Sequence, residues 1–212
     1  MNLPSQPEAP GLAAATGMFI EVLVIGIGSL ASLFGLGVAV IGYDATEKVM
    51  PIAGSTPFAG LAVAFAYALG ILIDRCADFL LKFKRRSLRA RYFSSNSSYA
   101  AARRSVNQFP DIVARADYAR SRMRICRGWF LNCILLLVSA NLVLIRFPVQ
   151  NRSILLSATT MLGLLVTVGF YIAWSSITLT SYKKLQQQAQ IPGSSVPSGQ
   201  NGAPDGTGAA AP

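Results

Sequence analysis

The sequence contains no histidine, and it is poor in charged residues and in acids. Only 13% of its 212 residues are charged, and 9 Asp and Glu stand against 19 Lys and Arg. An ordinary soluble domain has about a quarter of its residues charged. Without imidazole, the sequence excludes Ser-His-Asp and Cys-His nucleophile systems and histidine-ligated zinc or haem. A soluble enzyme of these classes is therefore not expected.

Motifs for cofactors and metals are also lacking. The sequence has no Walker motif, no dinucleotide fingerprint and no paired catalytic acids. Its three cysteines, Cys76, Cys126 and Cys133, have no CxxC spacing, so they make a poor metal site. We therefore expect neither catalysis nor a bound cofactor or metal.

Long apolar runs are the main feature that is present. Hydrophobic residues make up 52% of the chain, and the mean hydropathy is +0.46. A helix rises 1.5 Å per residue, so about 20 apolar residues cross a hydrocarbon core of about 30 Å. The sequence predicts an all-α, polytopic membrane protein whose four transmembrane helices cover approximately residues 18–41, 57–73, 129–145 and 154–179.

The basic residues are concentrated between the second and third spans. Residues 82–128 contain 13 of the 19 Lys and Arg and only Asp111 and Asp117 as acids. This segment has a net charge of +11, against +10 for the whole chain. By the positive-inside rule it faces the cytoplasm. Both termini are then cytoplasmic, and in a bacterium the membrane would be the inner one.

Helical periodicity extends the second and third spans into this basic segment. One stripe of residues, spaced by four and three, comprises Leu72, Cys76, Phe79, Phe83, Arg86, Ala90 and Phe93. A second comprises Ile112, Ala116, Ala119, Met123, Cys126, Phe130, Cys133 and Leu137. Such stripes are typical of packed helix faces. We therefore predict a coiled-coil-like cytoplasmic helical hairpin.

These patterns divide the chain into five segments. The first is a flexible N-terminus, and the last is a cytoplasmic tail that we expect to be disordered because it is rich in Pro, Gly, Ser and Ala. Two transmembrane hairpins flank the basic segment. The predicted boundaries are 1–17 for the N-terminus, 18–81 for the first hairpin, 82–128 for the basic helical hairpin, 129–180 for the second transmembrane hairpin and 181–212 for the tail.

The first span carries small residues at helical spacing and one acid. Small residues let helix backbones approach closely, either within a chain or between copies of it in a homo-oligomer. The acid, Glu21, lies near the inner end of the span, level with Arg75. We expect an interfacial ion pair between them, rather than a proton or cation site built from Glu21, Asp74 and Asp78. The candidate packing stripe is Gly28, Ser32, Gly35, Ala39 and Gly42.

The basic hairpin is the candidate contact surface. Arginine dominates its returning helix, and its planar fork pairs well with carboxylate and phosphate. We expect contacts with anionic lipid headgroups, with an acidic protein partner or with a phosphate-bearing ligand, and we do not expect a nucleic acid. The candidate residues are Arg85, Arg86, Arg89, Arg91, Arg120, Arg124 and Arg127.

Two functions fit this sequence. One is a membrane-anchored interaction or scaffold module that acts through the basic hairpin. The alternative is an oligomeric channel or pore-forming effector that is gated through the same hairpin.

Overall fold

The computed structural model describes residues 9–42, 46–48, 51 and 55–190. These residues are helical throughout, apart from short connections, and contain no strand. The five helices longer than ten residues are α1 (Ala9–Ile41), α2 (Thr56–Ala90), α3 (Asn96–Val106), α4 (Pro110–Arg146) and α5 (Arg152–Gln190).

Within this part of the chain, four of the helices are long and apolar enough to cross a membrane. They are α1, α2, α4 and α5, the helices that contain the four predicted spans. An unbroken helix suits such apolar runs because it satisfies every backbone polar group internally. The prediction of an all-α, multi-pass membrane protein is confirmed at this level.

The helices are longer than the predicted spans at both ends of the chain. Residues 9–17 belong to α1 and residues 181–190 belong to α5, although we expected a flexible N-terminus and a disordered tail. Once a helix is nucleated, each further residue adds a hydrogen bond, and alanine, leucine and glutamine continue it readily. The rest of the two expected flexible segments, residues 1–8 and 191–212, lies outside the described residues.

Local sequence explains several helix ends. The α1 helix ends at Gly42, which has φ +95° and donates its N–H to the carbonyl of Val38 at 3.0 Å. Glycine is the usual residue at this left-handed position. Gly42 therefore terminates α1. We had expected it to belong to the packing stripe, but a Cβ atom there would meet nothing within 4 Å. At the other end of the bundle, Pro110 begins α4 directly after Phe109, where a missing N–H costs nothing.

The four long helices lie in the order α2, α1, α4, α5. The α1 helix packs along both α2 and α4, and α4 packs along both α1 and α5. The α2 helix also meets α4 and α5 over shorter stretches, and α3 packs against α5. We call the end of the bundle where α2 ends and α4 begins the basic end.

Glycines set the closest helix contacts. A Cβ atom on Gly26 would overlap the carbonyl of Ala66, and one on Gly70 would overlap the carbonyl of Val22. These contacts bring the backbones of α1 and α2 together. Gly28 and Gly35 face α4 instead, where added Cβ atoms would overlap Asn132 and Ser139.

The small-residue stripe of α1 is therefore covered by α4 of the same chain. Ser32 is fully buried between Gly28 and Gly35, and Ala39 is half-buried nearer the end of the helix. The helix that covers Gly28 and Gly35 is α4, whereas α2 packs on α1 through Gly26 and Gly70.

The predicted stripe on α2 proves to be the outward face of that helix. Phe79 is 70% exposed and Phe83 is 76% exposed. The stripe shows only where apolar residues recur, whereas the face that the neighbouring helices bury carries three small residues, one acid and two leucines. That buried face consists of Ala66, Gly70, Asp74, Ala77, Leu81 and Leu88.

Candidate functional site

Ionised side chains from three helices meet at the basic end of the bundle. Glu21 comes from α1, Asp74, Asp78 and Arg85 come from α2, and Arg124 and Arg127 come from α4. We call these six residues the charged cluster.

Arg127 connects two acids on the neighbouring helix. Its Nη2 lies 2.6 Å from Oδ1 of Asp74, and its Nη1 bonds Oδ1 of Asp78. The two aspartates are four residues apart on α2, so they lie one helical turn apart on one face. A guanidinium fork can reach both carboxylates at once. The side chains of Arg127 and Asp74 are only 16% and 10% exposed, so this contact is largely removed from solvent.

Arg85 completes the pairing of Asp78. Its Nη1 lies 2.5 Å from Oδ1 of Asp78, and both side chains are partly exposed. Asp78 therefore receives one arginine from its own helix and one from α4.

Glu21 is paired with α4 and not with α2. The hydroxyl of Ser121 donates to Oε1 of Glu21, and Nη1 of Arg124 lies 3.5 Å from Oε2. We had expected Arg75 as the partner, but Arg75 is exposed. Consecutive helical residues are rotated by about 100°. Because Asp74 points into the bundle, the next residue must point away from it.

The cluster balances its charges. Three carboxylates and three guanidinium groups leave no net charge on it, which suits its burial because an unpaired buried charge is costly. In the described part of the chain, Glu21 Oε2 and Arg127 Nε are buried without a hydrogen bond. Glu21, Asp74 and Asp78 were the acids of the alternative cation site. Each of them faces an arginine, so the arrangement does not favour a bound cation.

The candidate arginines of the sequence divide into two groups. Arg85, Arg124 and Arg127 turn inward to the charged cluster. Arg86 and Arg91 are exposed, and Arg120 pairs with Asp117 on the surface at 2.9 Å.

Arg89 belongs to the group of arginines that lie outside the charged cluster. It donates to Oδ1 of Asn96 at 2.6 Å and lies 5.2 Å from the ring centre of Tyr99. It fastens the end of α2 to the start of α3.

A second polar contact lies deeper in the bundle between α1 and α4. Asn132 is fully buried. Its Nδ2 donates to the carbonyl of Ile25 at 2.6 Å, and its Oδ1 accepts from the hydroxyl of Ser29 at 2.8 Å. Ser29 and Ser121 were not identified as polar contacts from the sequence. Only the rotation of α1 and α4 brings those hydroxyls to their partners.

Two open clefts lie at the basic end. One, of about 280 Å³, is polar and lies where α2 turns into α3, beside Arg86, Arg89 and Asn96. The other, of about 330 Å³, is a mainly apolar groove between α4 and α5.

In the described part of the chain, no group of three or more Cys, Asp or Glu side chains is placed so that it could hold a metal ion. Comparison with protein-family models, with curated proteins and with solved structures finds no match to this chain.

Proposed function

We propose that this protein is a membrane-anchored interaction or scaffold module, with its basic end and both termini in the cytoplasm. In a bacterium the membrane would be the inner one. The observation that supports this proposal is the division of the basic residues into an internal, neutralised group and an external, unneutralised one.

The internal, neutralised group contains only a small share of the basic residues at the basic end. Arg85, Arg124 and Arg127 balance the three acids of the charged cluster. Besides Arg85, residues 82–110 contain seven further basic residues and no acid at all. Their exposed members include Lys84, Arg86, Arg91, Arg103 and Arg104.

Such a surface attracts anionic lipid headgroups. Each Lys or Arg close to an anionic membrane contributes about 1 kcal/mol. An acidic protein partner that approaches the membrane would meet the same field. A positive surface on a membrane-anchored helical bundle suits a module that binds anionic partners at the membrane. The proposal assigns no catalytic step to this surface.

The channel alternative has less support. The small-residue stripe that would have joined subunits is covered by α4, and the polar side chains inside the bundle bond one another. Asn132 bonds Ser29, and Thr160 donates to Asn141 at 3.2 Å. These groups are therefore already used in helix packing.

The experiment that tests the proposal measures contact with anionic headgroups. The protein is reconstituted in bilayers of phosphatidylcholine and phosphatidylglycerol, and electron paramagnetic resonance gives the motionally restricted fraction of each spin-labelled lipid. We expect phosphatidylglycerol to be enriched around the wild type. The triple variant Lys84→Gln, Arg86→Gln, Arg91→Gln should lose most of that enrichment.

The matched control keeps the charge and changes the side chains. Lys84→Arg, Arg86→Lys, Arg91→Lys should retain the enrichment of the wild type. Equal enrichment in the neutral triple variant and in the wild type would overturn the proposed role of this surface.

A further inference from the structure

The groove between α4 and α5 has an apolar floor and a cationic edge. Ile125 and Cys126 of α4 and Ile177 of α5 line its floor, and Arg122 lies at the edge nearer the basic end. The guanidinium carbon of Arg122 lies 4.8 Å from the ring centre of Tyr118. Because Tyr118 lies one turn before Arg122 on α4, this contact directs the guanidinium group towards the basic end.

A second cation, Lys184, lies beyond the lining of the groove on α5. On α5, Lys184 follows Ile177 by seven residues, so the two share one helical face and Lys184 lies two turns nearer the basic end. Its side chain is exposed. Each of the two helices therefore carries a cation on the side of the groove nearer the basic end, Arg122 on α4 and Lys184 on α5.

No carboxylate competes for these cations along the groove. The α5 helix contains no Asp or Glu, and α4 contains none after Asp117. Asp117 pairs with Arg120 on the surface. Among the described side chains, Arg122 forms no ion pair. The groove is therefore complementary to an anion with an apolar extension.

Two aromatic side chains lie deeper between α4 and α5 than the residues that line the groove. Trp129 stacks on Phe170 of α5 with ring centres 6.0 Å apart, about two turns deeper along α4 than Arg122. Tryptophan is enriched at membrane interfaces, and basic side chains reach the headgroups from there. With the basic end in the cytoplasm, the groove covers the depth between the acyl chains and the phosphates.

We propose that this groove binds one anionic phospholipid of the cytoplasmic leaflet. Its phosphate lies against Arg122 and Lys184, and an acyl chain covers Ile125, Cys126 and Ile177. This inference rests on the proposed membrane orientation, but it concerns a single defined site on α4 and α5, whereas the proposed contact surface lies on α2 and α3. Basic pockets between transmembrane helices on the cytoplasmic side are a known way to hold anionic headgroups.

Native mass spectrometry of the detergent-purified protein tests the site. Phosphatidylglycerol or phosphatidylcholine is titrated, and the population with one bound lipid is measured. We expect the wild type to prefer phosphatidylglycerol. Arg122→Gln should weaken that binding about fivefold, the effect of one cation near an anionic headgroup. Ile177→Trp, which fills the floor, should remove most of it.

Matched controls carry the same changes outside the groove. Arg103→Gln removes an exposed arginine of α3, and Ile172→Trp enlarges an exposed side chain of α5. Both should bind phosphatidylglycerol like the wild type, and all variants should keep the helical content of the wild type by circular dichroism.

Two results would overturn the site. One is equal affinity of the wild type for the two lipids, and the other is unchanged binding in both groove variants. If the groove variants bind normally while the neutral triple variant on α2 still loses lipid enrichment, the site fails and the proposed function stands. If the groove variants lose the lipid while the triple variant retains its enrichment, the proposed contact surface fails and the site stands.

Discussion

Arg127 is the residue on which the charged cluster depends most. It is the one side chain of α4 that bonds both Asp74 and Asp78, and it is nearly buried. A buried pair contributes little when compared with an apolar replacement, but removal of one partner leaves the other charge without compensation. The contribution of this contact to stability is therefore best measured by a variant in which Arg127 alone is changed.

We predict that Arg127→Gln lowers the free energy of unfolding by about 3–5 kcal/mol. The reason is that Asp74 loses its cation and Asp78 keeps only Arg85. Arg120→Gln is the matched control, because its exposed pair with Asp117 is worth less than about 1 kcal/mol. Denaturant titration in mixed micelles measures both. Equal stability of the two variants would contradict the importance assigned to the buried pair.

At the scale of elements, the contact of α1 with α2 depends on two glycines from opposite helices. Gly26 lies against Ala66, and Gly70 lies against Val22, so each helix presents a glycine to the backbone of the other. Close backbone approach of this kind is a main source of helix association in membranes, where apolar side chains gain little by leaving lipid.

Gly70→Ala is expected to destabilise the bundle by about 1–3 kcal/mol, since the new methyl group forces the two backbones apart. Gly60→Ala on the same helix meets nothing within 4 Å. It should be neutral or stabilising by up to about 1 kcal/mol, because alanine is the better helix former. Thermal unfolding of both variants in one detergent compares them. If Gly70→Ala were as stable as Gly60→Ala, the tight crossing of α1 and α2 would be disproved.

At the scale of the whole molecule, charge is sorted along the bundle axis. The basic end carries the segment 82–110 without a single acid, whereas the connection between α4 and α5 carries only Arg146 and Arg152 at its edges. This asymmetry is the basis for the proposed orientation.

Labelling of introduced cysteines should reveal that orientation. In a background with the three native cysteines changed to serine, Ser97→Cys lies at the basic end and Val149→Cys lies at the opposite end, both exposed. A membrane-impermeant maleimide added to intact cells should label Val149→Cys alone. After permeabilisation, Ser97→Cys should react as well. Labelling of Ser97→Cys in intact cells would reverse the proposed orientation.

The sequence was sufficient to locate the four spans, but it did not determine which face each helix turns towards its neighbours. Hydropathy located all four membrane helices because length and composition alone decide that property. The face that each helix buries depends on its neighbours, so the apolar stripe with Phe79 and Phe83 was wrongly taken as a packed seam. The same rotation replaces the expected Glu21–Arg75 pair with contacts from α4.

The pairing of Asp74 with Arg127 has a consequence for how the chain is made. The two residues are 53 positions apart, so α2 is synthesised well before its counter-ion exists. Translation adds about 5–20 residues per second, so about 3–10 s pass between the synthesis of Asp74 and that of Arg127. Asp74 directly follows the predicted span 57–73, so its predicted place during this interval is the hydrated interface. The contact that joins α2 to α4 can form only after the fourth helix has been made.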